Sequence, residues 1–370
     1  MSLTRRTLLA GVGFAALPLP PAVRAVALRG VRGADISFTL QEEAAGVRYR
    51  FRGRTDRIEN ILRAAGATWV RLRVWTAPPP GYSDLDQALR LAARAKRAGL
   101  KVLLDLHYSD FWADPGHQDT PAAWAGQDLA TLTATVRSYT ADVVTAFARQ
   151  GTPVDMIQTG NEVTAGMLWP VGQIYRPSGA DWAGFTTLLE AALTGARAAT
   201  PRGHRLLTMV HIDRGGDNGG ARWFYDRVGV AFDVIGLSYY PFWHGALSAL
   251  SANLTDLATR YGKPIVVTET SYPWTMANGD PLPNLLTDPS ALPDGAAYPP
   301  TPAGQAAYFR ELRRILSGVP SGLGAGFFAW EPGWLPGVGW TPGEGNPNDN
   351  LTLFDWSGNA LPALTAAYAR

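Results

Sequence analysis

Eight short runs rich in valine, isoleucine, leucine and tryptophan recur along this chain, and longer stretches with apolar residues three and four apart separate them. That alternation constrains the fold more than any other feature, because strands joined through helices pair in parallel. The strand-like runs are residues 33–37, 68–75, 101–107, 154–160, 205–211, 233–239, 264–270 and 324–330. The clearest helical patterns cover 54–65, 85–98, 129–149, 182–199 and 303–316, with Gly66, Gly99 and Gly151 placed as left-handed C-caps. Eight strands predict a closed (β/α)₈ barrel, an α/β fold in one domain, rather than an open doubly wound sheet. No GxGxxG follows an early strand, which also weighs against a dinucleotide fold. Two segments rich in Pro, Gly and Asn, residues 272–301 and 331–350, directly follow strands seven and eight. They read as long loops at the barrel mouth, with an interdomain linker as the alternative.

A barrel brings the C-terminal ends of its strands to one cleft, so the residues found there are the candidates for chemistry. Strand one ends on Asp35, strand two carries Arg71 and Arg73, and strand three ends Asp105, His107 and Asp110, followed by Trp112. Strand four ends Asn161-Glu162, strand five His211, strand six Ser238 and Tyr240, strand seven Glu269, and strand eight Trp330-Glu331. Cleaving a glycosidic bond needs one carboxylic acid to protonate the leaving oxygen and a second carboxylate to attack or stabilise the anomeric carbon. Glu162 and Glu269 lie on strands that face one another across a closed barrel, and a separation of about 5–5.5 Å would retain configuration. Glu162 has to hold its proton near neutral pH, which burial beside Trp169 and a neighbouring carboxylate both favour.

The supporting set reads in the same way. Asn161 is placed to bond a sugar hydroxyl, Tyr240 to donate to the Glu269 carboxylate, Arg71 to orient it by charge, and His107 to bridge the two. Asp35, Asp110, Trp112, Trp169, His211, Trp243 and Trp330 complete the candidate substrate-binding residues. Indole rings suit the apolar faces of sugars, and seven of the thirteen tryptophans fall at or after strand ends. For each residue a structural role stands as the alternative: an N-cap or surface ion pair for the glutamates, a buried ion pair for Arg71, a satisfied core position for His107, and core packing for about half the tryptophans. The five histidines include no HExxH, and no GxSxG elbow is present, so a metalloprotease-type or serine-hydrolase site is not expected.

The first 25 residues read as an export signal. TRRTLL at 4–9 is similar to a twin-arginine motif, the apolar run 8–19 is too short to span a bilayer, and Val23-Arg24-Ala25 offers a cleavage site. An uncleaved amphipathic anchor is the alternative. Cleavage would remove three arginines and no acid, leaving 30 basic residues against 31 acidic ones, so nothing suggests a nucleic-acid surface. With no cysteine, the fold has to stand on its core alone, even outside the cytoplasm. The mature domain, residues 26–370, is expected in the periplasm or outside the cell, free of membrane and monomeric.

The motifs DLHYSDFWADP (105–115), QTGNE (158–162), GMLWP (166–170), IGLSYYP (235–241) followed by Trp243-His244-Gly245, and WEP (330–332) resemble glycoside hydrolase family 53, in order and from residue 33 to 358. The resemblance implies a retaining endo-β-1,4-galactanase acting on galactan, the side chain of type I arabinogalactan and pectin. It places the acid/base on Glu162 and the nucleophile on Glu269. A related barrel glycosidase acting on mannan, xylan or glucan, and a non-catalytic carbohydrate-binding barrel, are the alternatives. Bacterial members of the family often carry a calcium loop with alternating Asp residues and a His after strand seven. Here residues 275–281 read TMANGDP, with Asp280 the one acid and Asn278 and Asn284 nearby. No cofactor is expected, calcium at this loop being the one open alternative.

Overall fold

The computed structural model describes residues 28–340 and 343–369; the segment read as an export signal lies outside them. Eight strands close into a barrel: β1 (Val31–Asp35), β2 (Trp69–Val74), β3 (Lys101–Leu106), β4 (Met156–Thr159), β5 (Leu207–Ile212), β6 (Val234–Ser238), β7 (Ile265–Thr270) and β8 (Gly324–Ala329). Every neighbouring pair is parallel, and β8 closes the ring on β1 through Val31 opposite Gly326. The eight predicted strands are therefore the eight observed, with ends shifted by no more than two residues.

The eight principal helices are α1 (Ile58–Ala65), α2 (Leu85–Arg97), α3 (Leu129–Arg149), α4 (Ala183–Ala199), α5 (Asn218–Tyr225), α6 (Leu247–Tyr261), α7 (Pro302–Gly318) and α8 (Pro362–Tyr368). Their starts follow side-chain chemistry. Asp84 accepts the Gln87 N–H at 2.8 Å, Asp128 that of Thr131 at 2.8 Å, and Thr301 that of Gly304 at 3.1 Å. Gly66 ends α1 at φ 111°, with the Tyr368 carbonyl where a Cβ would lie. The first predicted helix starts four residues late, because Arg54–Asp56 pairs with Tyr49–Phe51 in a hairpin. Arg52 and Gly53, both at positive φ, form its two-residue turn.

Side-chain parity along the strands builds the barrel interior in two storeys. At the bottom sit Val31, Trp69, Leu103, Met156, Leu207, Met209, Val234, Val266 and Phe328, an apolar plug. Phe328 fits because Gly33 opposite has no side chain; a Cβ there would lie 2.1 Å from its ring. Two and four residues further along the same faces come Asp35, Arg71, Arg73, Asp105, Gln158, His211, Ser238 and Thr268, all buried and all polar. A larger apolar layer packs the helices onto the outside of the sheet. In β7 the register to β6 slips between Leu237 and Ser238, so that Ser238 pairs with Glu269. Such a bulge re-aims a side chain, here Glu269 at the mouth.

Residues 272–301, 331–340 and 343–350 form the mouth as loops of the same body. They are stitched together by Leu285 N–H to the Pro347 carbonyl at 2.7 Å and Trp274 N–H to the Asn350 carbonyl at 3.0 Å. Among the described residues no helix is long and apolar enough to cross a membrane.

Candidate active site

A cleft of about 610 Å³ opens at the C-terminal end of the barrel, with Glu162 and Glu269 in its wall. Glu269 is held by an ion pair and a hydrogen bond. Arg71 Nη2 lies 2.7 Å from Oε1, and the Tyr240 hydroxyl donates to Oε2 at 2.9 Å. Burial and the carboxylate nearby keep Tyr240 protonated, so its proton is always there to give. Arg71 is itself fully buried and also meets Asp35 at 2.7 Å and Asp105 at 2.8 Å. Burial disfavours its charge, but these three carboxylates outweigh burial and keep the guanidinium ionised. Burial likewise pushes Asp105 up, yet Arg71 and His107 bring it down to about 2.

Glu162 stands in a different field. Burial first, then the Glu269 and Asp213 carboxylates, hold its carboxyl well above the usual range. A hydrogen bond from Ser238 acts the other way. Burial raises Glu269 too, but Arg71 and Tyr240 pull it back. The shared proton therefore belongs on Glu162, and the negative charge on Glu269. The backbone of Glu162 is left-handed, at φ 47° and ψ 49°, and Tyr108 (φ 53°) and Glu331 (φ 40°) share that conformation just beyond β3 and β8.

Behind Glu162 runs a chain of neutral groups. His211 Nδ1 faces two donors, the Glu162 N–H at 3.4 Å and Gln158 Nε2 at 2.9 Å, against one acceptor, Asn161 Oδ1 at 3.1 Å; the two donors place the ring proton on Nε2, toward Ser238 Oγ at 2.9 Å. Burial and Arg71 keep His211 uncharged. Ser238 thus accepts from His211 and has its own proton left for Glu162. Asn161 is gripped by Arg71 Nη2 at 2.8 Å and Gln158 Nε2 at 2.9 Å through its Oδ1. It gives one amide hydrogen to the Ala113 carbonyl at 2.7 Å, which leaves its second amide hydrogen at the cleft wall.

The structure sorts the residues singled out from sequence into two layers. Glu162, Glu269, Asn161, Tyr240, Trp112, Trp243 and Trp330 line the cleft. Asp35, Arg71, His107 and His211 are buried beneath it and act on those above. His107 bridges neither Arg71 with Tyr240 nor the two glutamates. Its Nε2 meets Asp105 at 3.0 Å, while Nδ1 accepts from Trp75 at 3.2 Å and the Ala113 N–H at 3.0 Å. The reason is parity: its side chain follows Asp105 on the inner face of β3. Asp110 accepts the Ala122 N–H at 2.8 Å and tethers a loop outside the cleft lining, and Trp169 leans on the Ala165 carbonyl at 3.1 Å beside it. Trp75 and Trp334 are core residues. Trp340, Leu285, Asp114, His117 and Asp119 line the cleft without having been expected; all sit in loops, where no periodicity marks a direction. Arg73, paired with Glu331 at 3.0 Å, lies 4.3 Å from the Trp112 ring and supports it from below.

The loop after β7 offers a poor cradle for calcium. Asp280 accepts the Leu282 N–H at 2.9 Å through Oδ1, and those of Asn346 at 2.6 Å and Gly337 at 3.4 Å through Oδ2. Asp349 Oδ2 accepts the Gly279 N–H at 2.9 Å. Asn284, Asn348 and Asn350 present amide oxygens without donors and Asp349 presents Oδ1, but a single free carboxylate oxygen is little charge for calcium, whose affinity grows with the number of charged ligands. Among the described residues no three acidic, histidine or cysteine side chains converge to hold a metal. The two acids already serve as hydrogen-bonded staples between the β7 and β8 loops.

A family model described as glycosyl hydrolase family 53 matches residues 31–367. The probable arabinogalactan endo-β-1,4-galactanase A of Aspergillus fumigatus is 39% identical over 88% of this chain and 89% of its own. Among solved structures, the GH53 catalytic domain of Ignisphaera aggregans superposes with a TM-score of 0.85 at 35% identity, covering 93% of this chain and 97% of that one. A fungal β-1,4-galactanase superposes at 0.81 and 35% identity, covering 93% of this chain and all of its own.

Proposed function

The chain belongs to glycosyl hydrolase family 53 and is a glycoside hydrolase, and from that membership we propose that it cuts internal β-1,4-galactosidic bonds of galactan and type I arabinogalactan by double displacement. The observation that carries the assignment of roles is the unequal treatment of two carboxyls in one cleft: Glu269 has Arg71 and Tyr240, and Glu162 has burial and two neighbouring carboxylates. Glu162 donates its proton to the glycosidic oxygen as Glu269 attacks the anomeric carbon, forming a glycosyl-enzyme bond. Glu162, now a carboxylate, then takes a proton from water, and that water releases the sugar from Glu269. The free amide hydrogen of Asn161 is placed for a sugar hydroxyl, and Trp112, Trp330 and Trp243 supply faces for the rings. The reaction calls for no cofactor. The protein works outside the cytoplasm, having left it by way of its first 25 residues.

Reducing-sugar release from purified β-1,4-galactan tests this reading. The parent releases sugar, Glu269→Ala releases none above background, and Glu162→Ala falls by about 10²–10⁴-fold. Activity on mannan, xylan or glucan with none on galactan would keep the mechanism and discard the substrate. Binding to galactan without release would leave a carbohydrate-binding barrel.

A further inference from the structure

Aromatic surface continues beyond the cleft on the side of the acid. The connection from β4 to α4 folds into a hairpin, Tyr175–Arg176 against Gly179–Ala180. Its base is fixed to the segment that carries Glu162: the Ile174 N–H bonds to the Ala165 carbonyl at 3.0 Å, and Ala165 is three residues past Glu162. Arg176 ties the hairpin down by donating to the carbonyls of Pro170 at 3.3 Å, Val171 at 3.1 Å and Gln173 at 3.2 Å. On this anchored support Tyr175 is 47% exposed, although a tyrosine of a well-packed protein gains by covering its ring. It lies parallel to Trp223 of α5, with centroids 5.3 Å apart and planes 10° apart. Trp223 is held in turn by Trp182 at 5.0 Å and by the Arg227 guanidinium at 5.3 Å.

The ground between this stack and Glu162 is polar. Asp213, just past β5, donates its N–H to the Thr164 hydroxyl at 3.3 Å, two residues from Glu162. Arg214 meets Asp213 at 3.4 Å and Asp217 at 3.5 Å, and all three lie close enough to act on the Tyr175 hydroxyl. One 3₁₀ turn at about 2 Å per residue and one cross-strand spacing of about 4.8 Å put Tyr175 on the order of 10–15 Å from Glu162. Trp330, Trp340 and Leu285 crowd the β7–β8 side of the cleft. Glu162 follows β4, and Asp213, which follows β5, acts on its carboxyl, so the open β4–β5 side next to the proton donor is the side assigned to the leaving sugar.

We propose that Tyr175, stacked on Trp223, is an outer sugar-binding platform on the leaving-group side, gripping the galactan chain a few sugars beyond the bond that is cut. The occupant is the substrate polymer itself, running on from the cleft, with Arg214 and Asp217 at hand for its hydroxyls. The proposal rests on the galactanase reading above.

The test compares Tyr175→Ala and Tyr175→Phe with the parent on β-1,4-galacto-oligosaccharides of increasing length and on polymeric galactan, with melting temperature measured alongside. Tyr175→Ala lowers kcat/KM by about three- to tenfold on the polymer and the longer oligosaccharides, through KM. On the shortest substrate cleaved it matches the parent, and Tyr175→Phe matches the parent throughout. A Tyr175→Ala variant equal to the parent at every length overturns the platform alone. So does a loss that is the same at every length and accompanied by a lower melting temperature, which would make Tyr175 a prop for the hairpin. A parent that releases no sugar from galactan overturns the galactanase reading, and the platform with it.

Discussion

Ser238 shows how far one hydroxyl can set a reaction's working pH. Its proton goes to Glu162, because His211 Nε2 already fills its acceptor side. The other groups acting on Glu162 are Glu269, Asp213 and Asp114, all of which raise it. A donor to a carboxylate favours the ionised form, so removing it raises the pKa of Glu162 further. Glu162 must be protonated in the free enzyme, and the basic limb of kcat/KM against pH reports that proton. Ser238→Ala therefore moves the basic limb to higher pH and leaves the acid limb, set by Glu269, where it was. A basic limb that stays in place, or moves down, would remove Ser238 from the acid's environment. The residues that do the chemistry were legible from their place at strand ends, because parity and barrel closure fix where such side chains point. The roles of Ser238, Gln158 and Asp213 were not, since each depends on a partner from another strand. His107 was misplaced for a different reason: parity sets it two residues past Asp105 on the same inner face, where its ring meets that carboxylate rather than reaching the cleft.

Strands were easier to read than loops, and the reason is burial on both faces. A parallel barrel strand is packed inside and out and stands apart as an apolar run. Helices α5, α6 and α8 escaped notice: α5 holds two glycines in eight residues, α6 mixes serine, threonine and asparagine among its leucines, and α8 is seven residues long, too short to show a period. The hairpin at 49–56 hid in a run of charged residues that also suits a helix. The mouth loops have no period at all, and what holds them is particular hydrogen bonds. Asp280 makes three of these and joins the β7 loop to the β8 loop at Gly337 and Asn346. Asp280→Ala leaves three backbone N–H groups without an acceptor, at a cost of about 1–3 kcal/mol. It should lower the melting temperature and raise KM for galactan, whereas EDTA changes neither in the parent. A melting temperature that falls in EDTA and returns with calcium would show a cation doing the work assigned here to Asp280.

The molecule as a whole was the most legible level, since eight repeats of one unit leave little choice of topology once the connections are right-handed. A chain without cysteine that closes β1 onto β8 and packs its last helix between α7 and α1 on the outside of the sheet needs no oxidising compartment in order to fold. That suits export in the folded state. Replacing both Arg5 and Arg6 by lysine should leave the enzyme active in lysates while most activity shifts from outside the cytoplasm to within it. Undiminished export would discard the twin-arginine route. The left-handed residues at the mouth, Tyr108, Glu162 and Glu331, bear on the molecule's history. Each such non-glycine residue costs about 1–3 kcal/mol, against a total stability on the order of 5–15 kcal/mol. Tyr108 offsets that cost by core packing and its bond to Thr140, and Glu331 by its buried pair with Arg73, so a lineage that kept the barrel but lost its use for the chemistry would find glycine or asparagine an improvement at Glu162. A glutamate persists there only while selection acts on turnover as well as on folding, so that position is where disuse would be written first.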